Sequence, residues 1–259
     1  MPLLETRNLI RHFDGHTAVR DVSLRVMPGH VTCLLGPSGC GKSTTLRIIS
    51  GVERQDGGAV LVDGQVIADD HVQTPPEKRS IGLMFQDFAL FPHLSVAQNV
   101  AFGLDRSRSE NDTRVRMLLS RVNLLGAIDA YPHQLSGGEQ QRIALVRALA
   151  PRPRIMLMDE PFSGLDERLK DDIRDATLAV LKDEGTAVLL VTHEPDEAMR
   201  MADQIALMRD GSIVQEGAPY NIYNAPIDRD VAAFFSDINV IPGEVRGALI
   251  STAFGEFLA

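Results

Sequence analysis

VTCLLGPSGCGKSTTLRIISG, residues 31–51, decides the architecture. Its first five residues are a continuous apolar run, the pattern of a strand covered on both faces. GPSGCGKST (36–44) follows at once, and the helix-forming TLRIISG comes after it. Strand, loop and helix in that order match G-x-x-x-x-G-K-[ST] in the context its mechanism needs. Gly36, Gly39 and Gly41 let the loop Gly36-Pro37-Ser38-Gly39-Cys40-Gly41 wrap closely and turn N–H groups toward phosphate oxygens. Lys42 is expected to reach the β- and γ-phosphates of a nucleotide and Ser43 to ligate Mg²⁺. Thr44 adds a hydroxyl near the α-phosphate. The bland alternative is a glycine turn with a solvated lysine, and it leaves the agreement of all three elements unexplained.

Outward from this loop, the pattern alternates. RDVSLRV (20–26) puts Val22, Leu24 and Val26 on one face and Asp21, Ser23 and Arg25 on the other, which predicts a half-buried strand. AVLVDGQVI (59–67) reads as a hairpin around Asp63-Gly64. IMLM (155–158) and TAVLLV (186–191) are buried-strand runs, and QIALM (204–208) and SIVQ (212–215) flank a turn at Asp210-Gly211. RVRMLLSRVNLL (114–125) places Val115, Leu118, Leu119 and Val122 at helical spacing, as do Leu169, Ile173, Ala176 and Val180. Antiparallel strands followed by alternating strands and helices predict an α/β fold with an antiparallel subdomain. Residues 236–259 hold short strand-like pieces with glycine turns, and are expected to open a second, β-rich domain that the chain does not complete.

Other polar residues fall at the ends of apolar runs. In RIMLMDE (154–160), Asp159 ends the strand, where it can hold the Mg²⁺ shell, and Glu160 is placed to polarise a water against the γ-phosphate. Without the phosphate loop the pair would be read as two solvated acids. His193 in THE (192–194) and Gln86 after IGLMF are strand-end residues expected to sense the γ-phosphate, Gln86 together with Mg²⁺. Phe13, in RHFDGH, is either core or a ring stacked on adenine. LSGGEQQR (135–142) strips side-chain bulk at Ser136, Gly137 and Gly138 just before the helical IALVRALA, which makes an anion seat at a helix start.

Bulk properties exclude some classes. The chain has 259 residues, 44% of them hydrophobic, enough for one large domain or two modest ones. A net charge of −9 disfavours nucleic-acid binding driven by phosphate attraction. Apolar runs fall short of the ~18–20 residues that span a bilayer. MPLLETRNLIRHF carries Glu5 and Arg7 inside its apolar stretch and does not read as a signal peptide, so a cytoplasmic location is expected. Cys33 and Cys40 are read as reduced.

LSGGEQQR, with GPSGCGKST, Gln86, RIMLMDE, SGLD (163–166) and His193, resembles the ATP-binding-cassette ATPases over roughly residues 3–236. The resemblance implies a P-loop NTPase core with an antiparallel β-subdomain and a helical subdomain at about 88–150. It implies ATP and Mg²⁺ as ligands. Phe13 becomes the adenine-stacking aromatic, where the family more often has tyrosine. Gly36 to Thr44 become the Walker A loop, Gln86 the Q-loop glutamine, Asp159 the Walker B aspartate, Glu160 the catalytic base and His193 the switch histidine. Leu135, Ser136, Gly137, Gly138 and Glu139, with Asp166 of the D-loop, are expected to meet the nucleotide of a second copy.

QDFALFPHLSVAQNVAFGL (86–104) looks like the coupling region of bacterial importer subunits. MRDGSIVQEGAPYNIYNAPIDRDVAAFF (208–235) looks like the segment that ends the ATPase domain in the ferric iron, polyamine, sulfate and sugar group, and INVIPGEVRG like the first strand of the regulatory β-barrel that follows it there. The implied partners are a second copy in the ATP state, two transmembrane permease subunits and a periplasmic solute-binding protein, with no nucleic acid. The implied place is the cytoplasmic face of the inner membrane. Residues 81–104 look most like ferric-iron subunits, with polyamine subunits close behind and thiamine, sulfate or sugar uptake as alternatives. Two rivals fit less well. Soluble relatives acting on ribosomes carry two cassettes, and those acting on DNA insert a coiled coil where 48 residues separate Gln86 from Leu135 here. A binding module without turnover would not need both Glu160 and His193.

Overall fold

The computed structural model describes residues 1–104, 108–163, 165 and 167–258. The strands are β1 (Leu4–Phe13), β2 (His16–Val26), β3 (Val31–Leu35), β4 (Gly57–Val62), β5 (Gln65–Ala68), β6 (Ile81–Met84), β7 (Ile155–Asp159), β8 (Ala187–Thr192), β9 (Gln204–Arg209), β10 (Ser212–Gly217), β11 (Gly243–Arg246), β12 (Leu249–Thr252) and β13 (Gly255–Leu258). The helices are α1 (Lys42–Ser50), α2 (Val96–Ala101), α3 (Arg108–Arg121), α4 (Gly137–Leu149), α5 (Glu167–Glu184), α6 (Pro195–Met201), α7 (Pro219–Asn224) and α8 (Arg229–Phe235). Each predicted strand and hairpin is present. Helix α3 stops at Arg121, short of the predicted end, because Asn123 adopts a left-handed φ of 57° and a 3₁₀ turn follows at Leu125–Ala127. Val115, Leu118, Leu119 and Val122 are buried as their spacing requires, and so are Ile173 and Val180. The side chain of Leu169 lies outside the described residues.

A six-stranded sheet in the order β10-β9-β3-β8-β7-β6 forms the centre, parallel except for the edge strand β10. Successive residues of a strand point to opposite faces, and both faces are covered. Cys33, Leu35, Met156, Met158, Val188 and Leu190 pack with residues of α2 to α6. Leu34, Ile155, Leu157, Leu189 and Val191 pack with Leu46, Ile48 and Ile49 of α1 and with the antiparallel sheet β2-β1-β4-β5. Two-sided burial is why VTCLL, IMLM and AVLLV carry no alternation. Cys33 and Cys40 are buried and free, as expected. A third sheet, β11-β12-β13, is antiparallel and shares no strand with the other two. Among the described residues no helix is long and apolar enough to cross a membrane.

Helix α1, which carries the phosphate loop at its start, is tied down at its end by one buried side chain. Arg79 donates from Nη1 to the carbonyls of Ile48 and Ile49, each at 2.9 Å, and from Nε to Thr74 O at 2.8 Å. A cation on the last carbonyls of a helix complements its dipole. Gly51 ends the helix at φ 85°, and a Cβ there would meet Arg79 Nε at 2.5 Å. Replacing Arg79 with Leu strands these carbonyls, so the Arg79→Leu protein should lose about 2–4 kcal/mol in urea unfolding. A loss under about 0.5 kcal/mol would mean that the anchor is not structural.

Candidate active site

The C-terminal edge of the parallel sheet gathers the polar residues. Leu35 pairs with Thr192, and Asp159 pairs with Val191, so the residues that leave β3, β7 and β8 emerge side by side. In open α/β sheets, ligands bind outside this edge.

The phosphate loop leaves β3 at Gly36, whose φ is 156° and whose Cβ would lie 2.1 Å from Met208 O. Gly41 is equally constrained, since a Cβ at its φ of 106° would lie 2.1 Å from Ala18 O. Pro37, Ser38 and Gly39 are exposed on the loop crest, and Cys40 is buried beneath it. Burial pushes the Cys40 thiol up, so it packs as a neutral group. Lys42 is buried, and its Nζ donates to Gly36 O at 2.7 Å and to Pro37 O at 2.9 Å. Its terminal nitrogen is therefore held against the first two carbonyls of the loop. Thr44 is half-buried on the first turn of α1.

Ser43 donates from Oγ to Asp159 Oδ1 at 2.9 Å. This bond joins the loop to the end of β7 and pairs two hard oxygen donors, the set that Mg²⁺ takes. Burial pushes the Asp159 carboxyl up, the Ser43 bond pulls it down, and the charge of Glu160 adds to the rise. A bound cation would relieve that penalty, so the donor set fits the ion. Glu160 holds a left-handed φ of 45°, fixed by its N–H to Val191 O at 2.9 Å and by Ser163, whose Oγ donates to Glu160 O at 2.9 Å. Such a backbone costs about 1–3 kcal/mol and clusters at functional sites. His193 Nδ1 lies 3.0 Å from Glu160 Oε1. Gln86 lines the same cleft, of about 640 Å³, with Arg47, Phe85, Asp87, Asp159 and Ser163.

The turn bearing His193 is braced by a charged cluster that no spacing in the sequence announced. Glu197 is buried, and it accepts from Thr192 Oγ1 at 2.6 Å and from Arg174 at 3.2 Å. Glu194 accepts from Lys170 at 2.9 Å and from Arg174 at 3.2 Å. Helix α5 thus grips both sides of His193.

Two further predicted groups lie apart from this cleft. Phe13 closes β1, paired with His16, two residues before the Ala18 whose carbonyl lies against Gly41. Phe13 is 40% exposed. Ser136 is the N-cap of α4, in a capping box with Glu139: Ser136 Oγ donates to Glu139 Oε2 at 2.7 Å, and Glu139 N donates back to Ser136 Oγ. The Ser136 hydroxyl bond holds the Glu139 carboxyl below its usual range. Leu135 is half-buried, Ser136 and Gly137 are exposed, and a Cβ on Gly137 would meet nothing within 4 Å. Gly138 is different, since its Cβ would lie 2.8 Å from Ile173 Cδ1. Asp166 lies outside the described residues.

Three turns along α4, Arg147 donates to Ala89 O at 2.6 Å and Phe88 O at 2.9 Å and lies over the Phe91 ring. Phe88 and Ala89 take left-handed φ values of 58° and 45°. The segment after Gln86 is thereby bolted to the helix that begins at Ser136. The sequence carried no sign of this, because the partners of Arg147 are backbone carbonyls. In that segment Phe88 and Leu90 pack on the core, Phe91 meets Phe102 at 4.3 Å between ring centres, and Phe102 is 63% exposed.

The chain matches the ABC transporter family over residues 19–163. It is 44% identical to an Fe(3+) ions import ATP-binding protein of Pseudomonas fluorescens, over 99% of this chain and 73% of the relative. A sulfate/thiosulfate import ATP-binding protein of Chromobacterium violaceum is 45% identical over 94% of this chain, and a putrescine transport ATP-binding protein of Escherichia coli 44% over 95%. The chain spans 66% and 65% of those two relatives. Among solved structures, a subunit of a Clostridium perfringens ABC transporter complex superposes with a TM-score of 0.79 at 29% identity, over 86% of this chain and 91% of that one. A dimeric ATP-binding cassette with ADP and Pi superposes at 0.73 and 30% identity, over 83% and 98%. The fold, the loop and these relatives agree: the chain belongs to the ABC transporter family, as one of its ATP-binding, ATP-hydrolysing subunits.

Proposed function

We propose that the chain is the motor of a solute importer and hydrolyses ATP at sites shared between two copies. The observation that carries this reading is the meeting of the Ser43–Asp159 pair and the Glu160–His193 pair at one sheet edge. Lys42 exchanges its loop carbonyls for β- and γ-phosphate oxygens, with the loop N–H groups around them. Ser43 and Asp159 would hold Mg²⁺, with Gln86 at the rim, and the ion would neutralise phosphate charge when bound. Glu160 accepts the proton of the attacking water as its oxygen bonds to the γ-phosphorus, while the bond from that phosphorus to the β,γ-bridging oxygen breaks and its electron pair leaves with ADP. His193 keeps the Glu160 carboxylate aimed. Phe13 stacks on the adenine.

The segment Leu135-Ser136-Gly137-Gly138-Glu139 of one copy covers the γ-phosphate in the other, and Asp166 belongs to the same interface by resemblance. Such contact is isologous, so two sites form together. Phosphate release then parts the copies and moves the permease subunits. Their docking surface is the segment from Phe88 to Phe102, on the cytoplasmic face of the membrane, and a periplasmic protein delivers the solute. Residues 1–236 form the ATPase domain, and β11 to β13 belong to a second, β-rich one. Cargo is selected in the other chains. Our assignment is ferric iron, from the wording of residues 81–104, and relatives named for iron, sulfate and putrescine bound the choice.

Glu160→Gln should bind ATP normally and lose ~10²-fold or more in kcat. On that background ATP should drive sedimentation to a dimer. Gly137→Asp adds an acid at an open position in the first turn of α4, which suits the monomer's helix dipole. The double variant should still bind ATP yet stay monomeric, and a dimer would contradict the shared site. Cysteines at Ala89 and His93 should cross-link to a short cytoplasmic helix of a co-expressed permease subunit. Absence of any cross-link from positions 87–95 would remove the docking assignment.

A further inference from the structure

Phe13 does not stand alone at its hairpin end. Arg11, two residues earlier on β1, places its guanidinium carbon 4.5 Å from the centre of the Phe13 ring. Two carboxylates hold that guanidinium in place. Nη1 donates to Asp56 Oδ1 at 2.7 Å, and Nη2 lies 2.8 Å from Glu53 Oε1. Asp56 is itself fixed, because it accepts from His12 N at 2.6 Å while its own N–H donates to Ile10 O. The His12 N–H and Arg11 hold its carboxyl below the usual range, so the clamp is charged at neutral pH. Both acids lie in the segment that follows α1, the helix that begins at Lys42. The clamp therefore ties the ring to the element that carries the phosphate loop.

We propose that Arg11 is a positioning residue for the nucleotide base: its clamped guanidinium backs one face of Phe13 and leaves the other face set for the adenine. The proposal rests on the reading of Phe13 as the stacking aromatic. A phenyl ring offers no hydroxyl to anchor it, so its orientation must come from packing, and a cation on a ring face supplies a directional attraction. A guanidinium held by two carboxylates loses little freedom when the base arrives, which preserves the stacking gain. The effect is confined to the base, because Arg11 acts on the ring and Lys42 on the phosphates.

The test compares ATP with inorganic tripolyphosphate, which has the phosphates and lacks the base, by titration calorimetry on the whole chain. Arg11→Met should weaken ATP about three- to tenfold and leave tripolyphosphate unchanged. KM for ATP should rise by the same factor with kcat constant, and Arg11→Lys should recover part of the loss. Glu53→Gln, which loosens the clamp and keeps the cation, should move ATP affinity in the same direction by a smaller factor. Unchanged or tighter ATP binding in Arg11→Met, or equal loss for both ligands, overturns the proposal. Phe13→Ala separates the two readings. If it weakens ATP alone while Arg11→Met does not, stacking stands and the role of Arg11 falls. If Phe13→Ala binds ATP like the parent, the stacking reading falls, and the role of Arg11 with it.

Discussion

The parallel pairing of β3, β8 and β7 in one register is the constraint on which everything else depends. It sets Leu35 opposite Thr192 and Val191 opposite Asp159. From that alignment the loop at Gly36, the carboxylates at 159 and 160 and the imidazole at 193 leave the sheet at one level. A slip of one residue in β7 would exchange its two faces. Met156 and Met158 would leave the helical side, and Asp159 would lose Ser43. Apolar residues cover both faces of these strands in the observed register.

Held by that sheet, the site is a set of short braces. Ser43 ties the loop to β7. The bond from Glu160 N to Val191 O ties β7 to β8 and holds a backbone that few non-glycine residues adopt. Thr192, Glu194 and Glu197, gripped from α5, tie β8 to the helical layer. The second long link runs outward. Arg147 connects the segment after Gln86 with the helix capped by Ser136, so the two segments proposed to meet the permease and the partner's nucleotide are joined within one chain. Two non-glycine residues in left-handed conformations, Phe88 and Ala89, sit at that joint. Such backbones cost about 1–3 kcal/mol each and persist only where the surroundings hold them, here through the two bonds from Arg147.

Much of this was legible in the chain itself. Strand-loop-helix around Lys42 fixed the fold class, and apolar runs ending in Asp159 and His193 placed their residues at one edge. Alternation in 20–26 and the turn at Asp63-Gly64 gave the antiparallel layer. Helix limits were less readable: α3 ends where Asn123 turns left-handed, a local choice that apolar spacing does not encode. Arg11, Arg79 and Arg147 were illegible for a shared reason. An arginine announces a charge, and its partners here are backbone carbonyls, an aromatic face and acids more than forty residues away.

If neither copy holds a complete site, as proposed, the ATPase rate per mole of chain at saturating Mg-ATP must depend on chain concentration. The specific rate should rise in proportion to concentration in the dilute range and level off where sedimentation finds the dimer. A specific rate that stays constant through concentrations at which the chain is wholly monomeric would contradict the shared site.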